Sequence, residues 1–356
     1  MNNESKTFLK KFLEQCAPSG FEEPAQRVWI DRTKKYADKI TRDVMGNAIA
    51  ILNPKSEFKV MLAGHCDEIG FIITHINDDG FIYIEALGGI DRTTLPGSEV
   101  WIRTNKGFVK GVIGKKAIHL EESSERGKVS KIKDVYIDIG AKNKKDALKQ
   151  VEVGDTVTFK PNYLELGNDL ISSKACDDRA GAFIVSEVIK ILSTKRKQLK
   201  VGVYGTSTVQ EETGLRGATT GAFGVNPQVG FAIDVTFSSD TPGSSKTELG
   251  NVKLGEGIAI HPCPCNNVKL YNTVKAVAKK KKIKYQVQAS GYPGGTDAAA
   301  IQLTRAGVAT MLMSVPNRYM HTQVETVSLK DIEACAKLIA ETILTLTPNS
   351  NFIPKA

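Results

Sequence analysis

No run of about 18 apolar residues occurs in this 356-residue chain, and its amino terminus, MNNESKTFLKKFLEQCAPSG, has no apolar core of signal-peptide length. A spanning helix and a secretory leader are therefore not expected, which favours a cytoplasmic protein without a membrane partner. Cysteine is sparse. Cys16, Cys66, Cys176, Cys263, Cys265 and Cys335 are scattered, and a chain of this length builds a core without covalent staples, so six reduced thiols are expected. The Cys-Pro-Cys at 263–265 is too tight for the usual zinc-ribbon spacing and is read as packing. Aromatic residues make up only 7% of the chain. That scarcity bears on the basic excess of 48 − 39 = 9, which is concentrated in residues 103–160 (14 basic against 8 acidic side chains) and in KKKKIK at 279–284. Base-stacking aromatics are too thinly interleaved there, so a solvated surface is expected rather than a nucleic-acid interface. Internal repeats and low-complexity linkers are also missing.

Hydrophobic residues at 41% and charged residues at 24% are ordinary for a globular protein, and the length exceeds one typical domain. KTFLKKFLEQC carries Phe8, Leu9, Phe12 and Leu13 at helical spacing, and EEPAQRVWIDRTKKYA opens with acids and a proline, so two helices begin the chain. NAIAIL reads as a strand, and the apolar run in KVMLAGHCDEIGFIITHI as a buried strand ending near His65. From about 68 to 167 short β-rich pieces such as GFIYIEAL, EVWIRT, GFVKGVIG and DTVTFKP are punctuated by glycine. Beyond them helix and strand text alternates again, over RAGAFIVSEVIKIL, LKVGVYGTST, QVGFAIDVT, NVKLYNTVKAVAKK, GVATMLMS and LKDIEACAKLIAETIL. The expected fold class is α/β: an α/β/α sandwich around a mainly parallel central sheet, formed by residues 1–67 and 168–356 and interrupted by a small β-barrel-like insertion at 68–167.

Ligands in open α/β sheets collect beyond the carboxyl ends of strands. Polar residues just past the expected strands are His65 and Asp67 in GHCD, Asp177 and Asp178 in KACDDRAG, Glu211 and Glu212 in QEETG, Asp234 and Asp240 in IDVTFSSDTPG, and His321 in RYMHTQVE. Each alone reads as a turn residue or a helix cap. Together they would crowd unpaired like charges into one crevice, which a cation relieves. Two histidines and at least three carboxylates exceed what one catalytic zinc needs, so two divalent ions are implied; nitrogen and oxygen donors suit zinc, cobalt or manganese. Two metals about 3.5 to 4 Å apart can share a carboxylate and a water whose pKa they lower. Adjacent side chains diverge, so one of Glu211 and Glu212 can bind metal while the other accepts a proton. In GGTDAAAI, residues 294–301, a glycine turn with Gly295 precedes Asp297; it reads either as a loop and helix cap or as a wall of a substrate pocket.

GHCDEIGF, DDRAG, QEETGLRGA, DTPG, GGTDAAAI and RYMH resemble, in order and in approximate spacing, the motifs of the tetrahedral aminopeptidases. That family includes glutamyl aminopeptidases and relatives labelled cellulases or endoglucanases. The resemblance implies that His65 and Asp234 bind one metal, Glu212 and His321 the other, and that Asp177 bridges them. It implies Glu211 as general base, Asp67 as the carboxylate that orients His65, and a cis peptide between Asp177 and Asp178. It further implies a catalytic α/β domain interrupted by a β-rich dimerisation domain, and a homo-oligomer of dimers assembling into a hollow twelve-subunit tetrahedron. Departures are Thr322 and Gln323 after His321 where a serine–proline pair is common, Phe237 where smaller residues are usual, and Cys66 and Cys176 beside proposed ligands.

The expected activity is removal of the first residue of short peptides. Deacylase or carboxypeptidase chemistry could use the same dinuclear core, and blocking the α-amine separates these from an aminopeptidase. Glycoside hydrolysis needs two carboxylates across the scissile bond and leaves the two histidines without a role. An RNA-binding scaffold would show steep salt dependence.

Overall fold

The structure is a computed structural model that describes residues 1–354 apart from Glu125 and Pro293. Seventeen strands are present among the described residues: β1 (Lys39–Arg42), β2 (Ala48–Leu52), β3 (Lys59–His65), β4 (Gly70–Ile76), β5 (Ile82–Leu87), β6 (Glu99–Thr104), β7 (Gly107–Gly114), β8 (Tyr136–Asp138), β9 (Thr156–Phe159), β10 (Leu164–Glu165), β11 (Leu170–Ser173), β12 (Gly202–Thr208), β13 (Val229–Phe237), β14 (Ile258–Ile260), β15 (Tyr285–Val287), β16 (Ala309–Arg318) and β17 (Glu325–Ser328). The helices are α1 (Asn3–Leu13), α2 (Glu23–Thr33), α3 (Lys144–Ala147), α4 (Cys176–Ser193), α5 (Arg216–Val225), α6 (Lys246–Leu249), α7 (Val268–Lys281), α8 (Asp297–Gln302) and α9 (Leu329–Ile343).

The large sheet runs β1-β2-β12-β3-β13-β16-β17-β11-β10, with β14 and β15 branching from β16. Its centre, β12-β3-β13-β16, is parallel, and its margins are antiparallel. Alternation along two strands shows why helices cover both faces. Ala48, Ala50, Leu52, Val60 and Leu62 join one core with α1, α2, α4, α7 and α9, whereas Ile49, Ile51, Met61 and Ala63 join a second core with α5 and α8. Strands buried on both faces have to be apolar throughout, and that is the run the sequence displays. In α1 the buried Phe8, Leu9, Phe12 and Leu13 form the expected stripe, and Asn2 caps its start by accepting from the Ser5 N–H. Gly64 lets β3 approach α4 closely, since a Cβ there would collide with the backbone of Gly181 and Ala182.

The glycine-punctuated text forms a closed antiparallel barrel, β4-β5-β8-β7-β6-β9. Its filling comes from alternate inward residues, including Phe71 and Ile73, Ile82 and Ile84, Val100 and Ile102, and Val157 and Phe159. The barrel returns to the sheet beside its carboxyl edge, where the Asp91 N–H donates to the carbonyl of His321 over 3.3 Å. No helix among the described residues is long and apolar enough to cross a membrane.

One expectation fails. Cys263 and Cys265 are joined as a disulfide, and only Cys16, Cys66, Cys176 and Cys335 are free and buried. The physical reason is local: the turn closed by the Asn266 N–H on the Cys263 carbonyl holds the two Cα atoms 5.4 Å apart, within disulfide reach.

Candidate active site

The parallel strands deliver side chains to one crevice at their carboxyl ends. His65 is the last residue of β3 and pairs in register with Thr208 at the end of β12. Asp234 lies two residues beyond the last β13–β3 pair, Ala232 with Ala63, and opposite Ser314 of β16. Asp177 and Asp178 precede the regular part of α4; both are non-helical and the peptide between them is cis. Glu211 and Glu212 follow β12, and His321 follows β16.

Asp177 lies between the two histidines. Its Oδ1 is 3.2 Å from His65 Nε2, and its Oδ2 is 3.3 Å from His321 Nε2. His65 Nε2 is also 3.7 Å from Glu211 Oε2, and His321 Nε2 is 3.7 Å from Glu212 Oε2. Two sets of donor atoms lie within 4.8 Å of one another and could hold a metal ion: His65, Asp177 and Glu212, and His65, Asp178 and Asp234.

Around these groups a ring of carboxylates fixes the backbone. Asp67, fully buried, accepts the N–H groups of Glu211 (3.2 Å) and Glu212 (3.1 Å), and its Oδ1 is 3.4 Å from His65 Nδ1. Asp178 accepts the His65 N–H at 3.2 Å and the Gly181 N–H at 2.9 Å. Glu325, buried at the start of β17, accepts the N–H groups of Asp177 and His321, each at 2.8 Å. Glu68, next to Asp67, binds buried Lys174 and Arg179, and Arg179 also donates to the carbonyls of Leu13, Gln15 and Cys66. The turn after His65 is thereby tied to the carboxyl end of α1.

The electrostatics are those of crowded carboxylates. Burial, with Asp234 and Asp297 nearby, pushes Glu211 up to about 10 against the opposing pull of His65. Burial and Asp177 likewise push Asp234 up to about 8 and raise Glu212 well above the usual range. Asp177 goes the other way, because its hydrogen bonds to His321 and His65 outweigh its burial. Burial opposes a charge on His65, but Glu211, Asp67 and Asp177 outweigh it and raise its pKa well above the ordinary value. These opposed shifts mark groups that need a compensating cation.

A cleft of about 680 Å³ opens beside the cluster, lined by Asp177, Glu211, Glu212, Asp234 and His321 together with residues of the 288–296 and 235–249 segments. Gly295 lines it; Asp297 lies behind, 2% exposed, with Oδ2 accepting from Thr208 Oγ1 at 2.6 Å and Oδ1 without a partner among the described residues. Phe237 and the Cys263–Cys265 loop also face the cleft. Asp240 is elsewhere, paired with Arg318 at 2.6 Å. Sequence reasoning passed over Glu325, whose signal is a carboxylate set between Val324 and Val327 in strand-like text.

The M42 glutamyl aminopeptidase family matches residues 46–338. The chain belongs to that family. Membership makes it a peptide hydrolase. Lysyl aminopeptidase of Pyrococcus furiosus is 34% identical over 343 residues, which is 96% of this chain and 97% of that protein. The TET aminopeptidase of a marine sediment archaeon of the Thaumarchaeota superposes with a TM-score of 0.93 at 34% identity, covering 97% of this chain and 98% of the other. The TET1 peptidase of Pyrococcus horikoshii, described as able to assemble into a tetrahedron or a large octahedral shell, does so with a TM-score of 0.86 at 36% identity over 96% and 100%. The two superpositions take in nearly the whole of this M42 chain, its sheet and its barrel included.

Proposed function

We propose that this M42 chain removes the amino-terminal residue of short peptides, with two divalent ions, zinc or cobalt first, held in the crevice. The observation that carries the reading is Asp177, whose two oxygens each face a different histidine. The donor set fits metal: among the described residues no Lys or Arg pairs with Asp177, Asp178, Asp234, Glu211 or Glu212, and buried carboxylates without a cation are costly. His65 and Asp234 would hold one ion, Glu212 and His321 the other, and Asp177 both. When bound, such a pair polarises the scissile carbonyl and lowers the pKa of water.

The remaining work falls to the chain's own groups. Glu211 accepts the proton of the attacking water and passes it to the leaving amine nitrogen. Burial and the neighbouring carboxylates raise its pKa, and nearby positive charge acts in the opposite direction. Asp67 orients His65 and holds the backbone from which Glu211 projects. Glu325 fixes the main chain of Asp177 and His321 together. A free α-amine in its neutral form has a nitrogen lone pair that an ion in the crevice would accept, whereas a blocked amine has lost it to amide resonance. Glycoside hydrolysis gives no role to two histidines placed on one aspartate.

A cytoplasmic setting is supported by the four buried free thiols, and the Cys263–Cys265 disulfide counts against it. Assembly as dimers into a tetrahedral dodecamer is supported by the likeness to TET peptidases; light scattering would then give about twelve times the 38.7 kDa chain mass. The functional test is hydrolysis of amino-acid p-nitroanilides, with free and with blocked α-amines, on enzyme supplemented with zinc, cobalt or manganese. Metal-dependent release from free substrates alone is expected; equal release from blocked ones would contradict the reading.

A further inference from the structure

The cleft has a charge pattern that sorts amino-terminal residues, and groups outside the proton-transfer and metal-binding set carry it. Among its described lining residues there is no Lys or Arg. The one histidine beyond the cluster, His261, is held neutral by burial, which pushes it down to about 4. Apolar side chains, Phe237, Leu249 and Leu312 among them, form much of the wall. Among the described lining residues, Glu248 of α6 is the one carboxylate outside the cluster; it is solvent-exposed and has no ion-pair or hydrogen-bond partner among the described residues.

We propose that Glu248 selects peptides with a basic amino-terminal residue, lysine or arginine. This rests on the aminopeptidase reading above. The aliphatic stem of such a side chain lies along Phe237 and Leu249 while its charged end stays wet beside Glu248, the division of contacts long basic side chains favour. Room is sufficient, because about 680 Å³ exceeds any single side chain. A glutamyl or aspartyl residue would instead set its carboxylate beside Glu248, on a wall without Lys or Arg among the described residues, and rejection by a like charge is as effective a selector as attraction. The family's description as glutamyl aminopeptidases would therefore not extend to the preference of this member.

The experiment compares Lys, Arg, Leu and Glu p-nitroanilides on the metal-supplemented wild-type protein and on Glu248→Gln. For the wild type, kcat/KM is expected to be highest for Lys and Arg and lower for Glu than for Leu. An exposed ion pair is a weak contact, so Glu248→Gln should lower the Lys and Arg values about 5-fold, mostly through KM, while Leu stays within about 2-fold and serves as the folding control. Glu turned over as well as Lys, or Lys and Leu falling equally in the variant, would overturn the inference. Turnover of Leu with no advantage for Lys overturns it while leaving the aminopeptidase reading intact. Silence on every substrate, with metal bound, overturns both.

Discussion

Replacing Asp67 by asparagine keeps the shape of a fully buried side chain and changes only its charge and one acceptor. In the wild type the two carboxylate oxygens accept the N–H groups of Glu211 and Glu212 at 3.2 and 3.1 Å, and one also lies 3.4 Å from His65 Nδ1. An amide can satisfy only one of the two N–H groups; its NH2 faces the other. A hydrogen bond to a charged group contributes about 1.5–3 kcal/mol, and leaving a buried donor unpaired costs about 1–3 kcal/mol, so Asp67→Asn should cost roughly 3 kcal/mol in unfolding free energy. Losing the carboxylate behind a ligand histidine typically weakens metal binding 10- to 100-fold. Urea unfolding and zinc competition against a fluorescent chelator measure the two quantities separately. A variant with wild-type stability and wild-type zinc affinity would refute the assignment of Asp67 as the anchor of both His65 and the di-glutamate turn.

Glu325→Gln leaves either Asp177 N–H or His321 N–H facing a donor, and zinc affinity is expected to drop about 10-fold by the same competition assay; an unchanged value would remove Glu325 from the account. His261 gives a pH effect whose sign can be worked out. Burial depresses its folded-state pKa from 6.5 to about 4, while Nδ1 and Nε2 bond the Gln288 carbonyl (3.0 Å) and Ser314 Oγ (2.8 Å). Its neutral form is favoured on folding, so this contribution is full above pH 6.5 and is lost as pH falls through 6.5 toward 4, up to about 3 kcal/mol. His261→Asn should therefore lose its stability deficit relative to wild type as pH drops from 7 to 4.5 in urea unfolding; a pH-independent difference would contradict the cause given.

How much could be read before the structure depended on where the information lay. β2 and β3 are legible because burial on both faces demands continuous apolar text, and α1 because its stripe repeats at helical spacing. The barrel is legible in its glycine-punctuated short strands. The margins of the sheet are not: β10, β11, β14, β15 and β17 have only two to four residues each, too few for a period, and their pairing is decided by tertiary neighbours. His65, Asp177, Glu211, Glu212, Asp234 and His321 stand out because each lies at or near a strand end or helix start. Glu325 does not, since its role is to accept backbone N–H groups from two distant segments. The Cys263–Cys265 pairing likewise depends on a turn whose closure two-residue spacing does not reveal.

The central claim is that Glu211 moves the proton while its neighbours hold metal, and Glu211→Gln tests it most directly. The amide cannot accept a proton, and general-base catalysis contributes about 10²–10⁴-fold, so kcat on a free aminoacyl p-nitroanilide should fall by roughly 10³. Metal content, read by elemental analysis on the same preparation, should stay at the wild-type level. A variant that keeps its metal and turns over within about 10-fold of wild type would contradict the account.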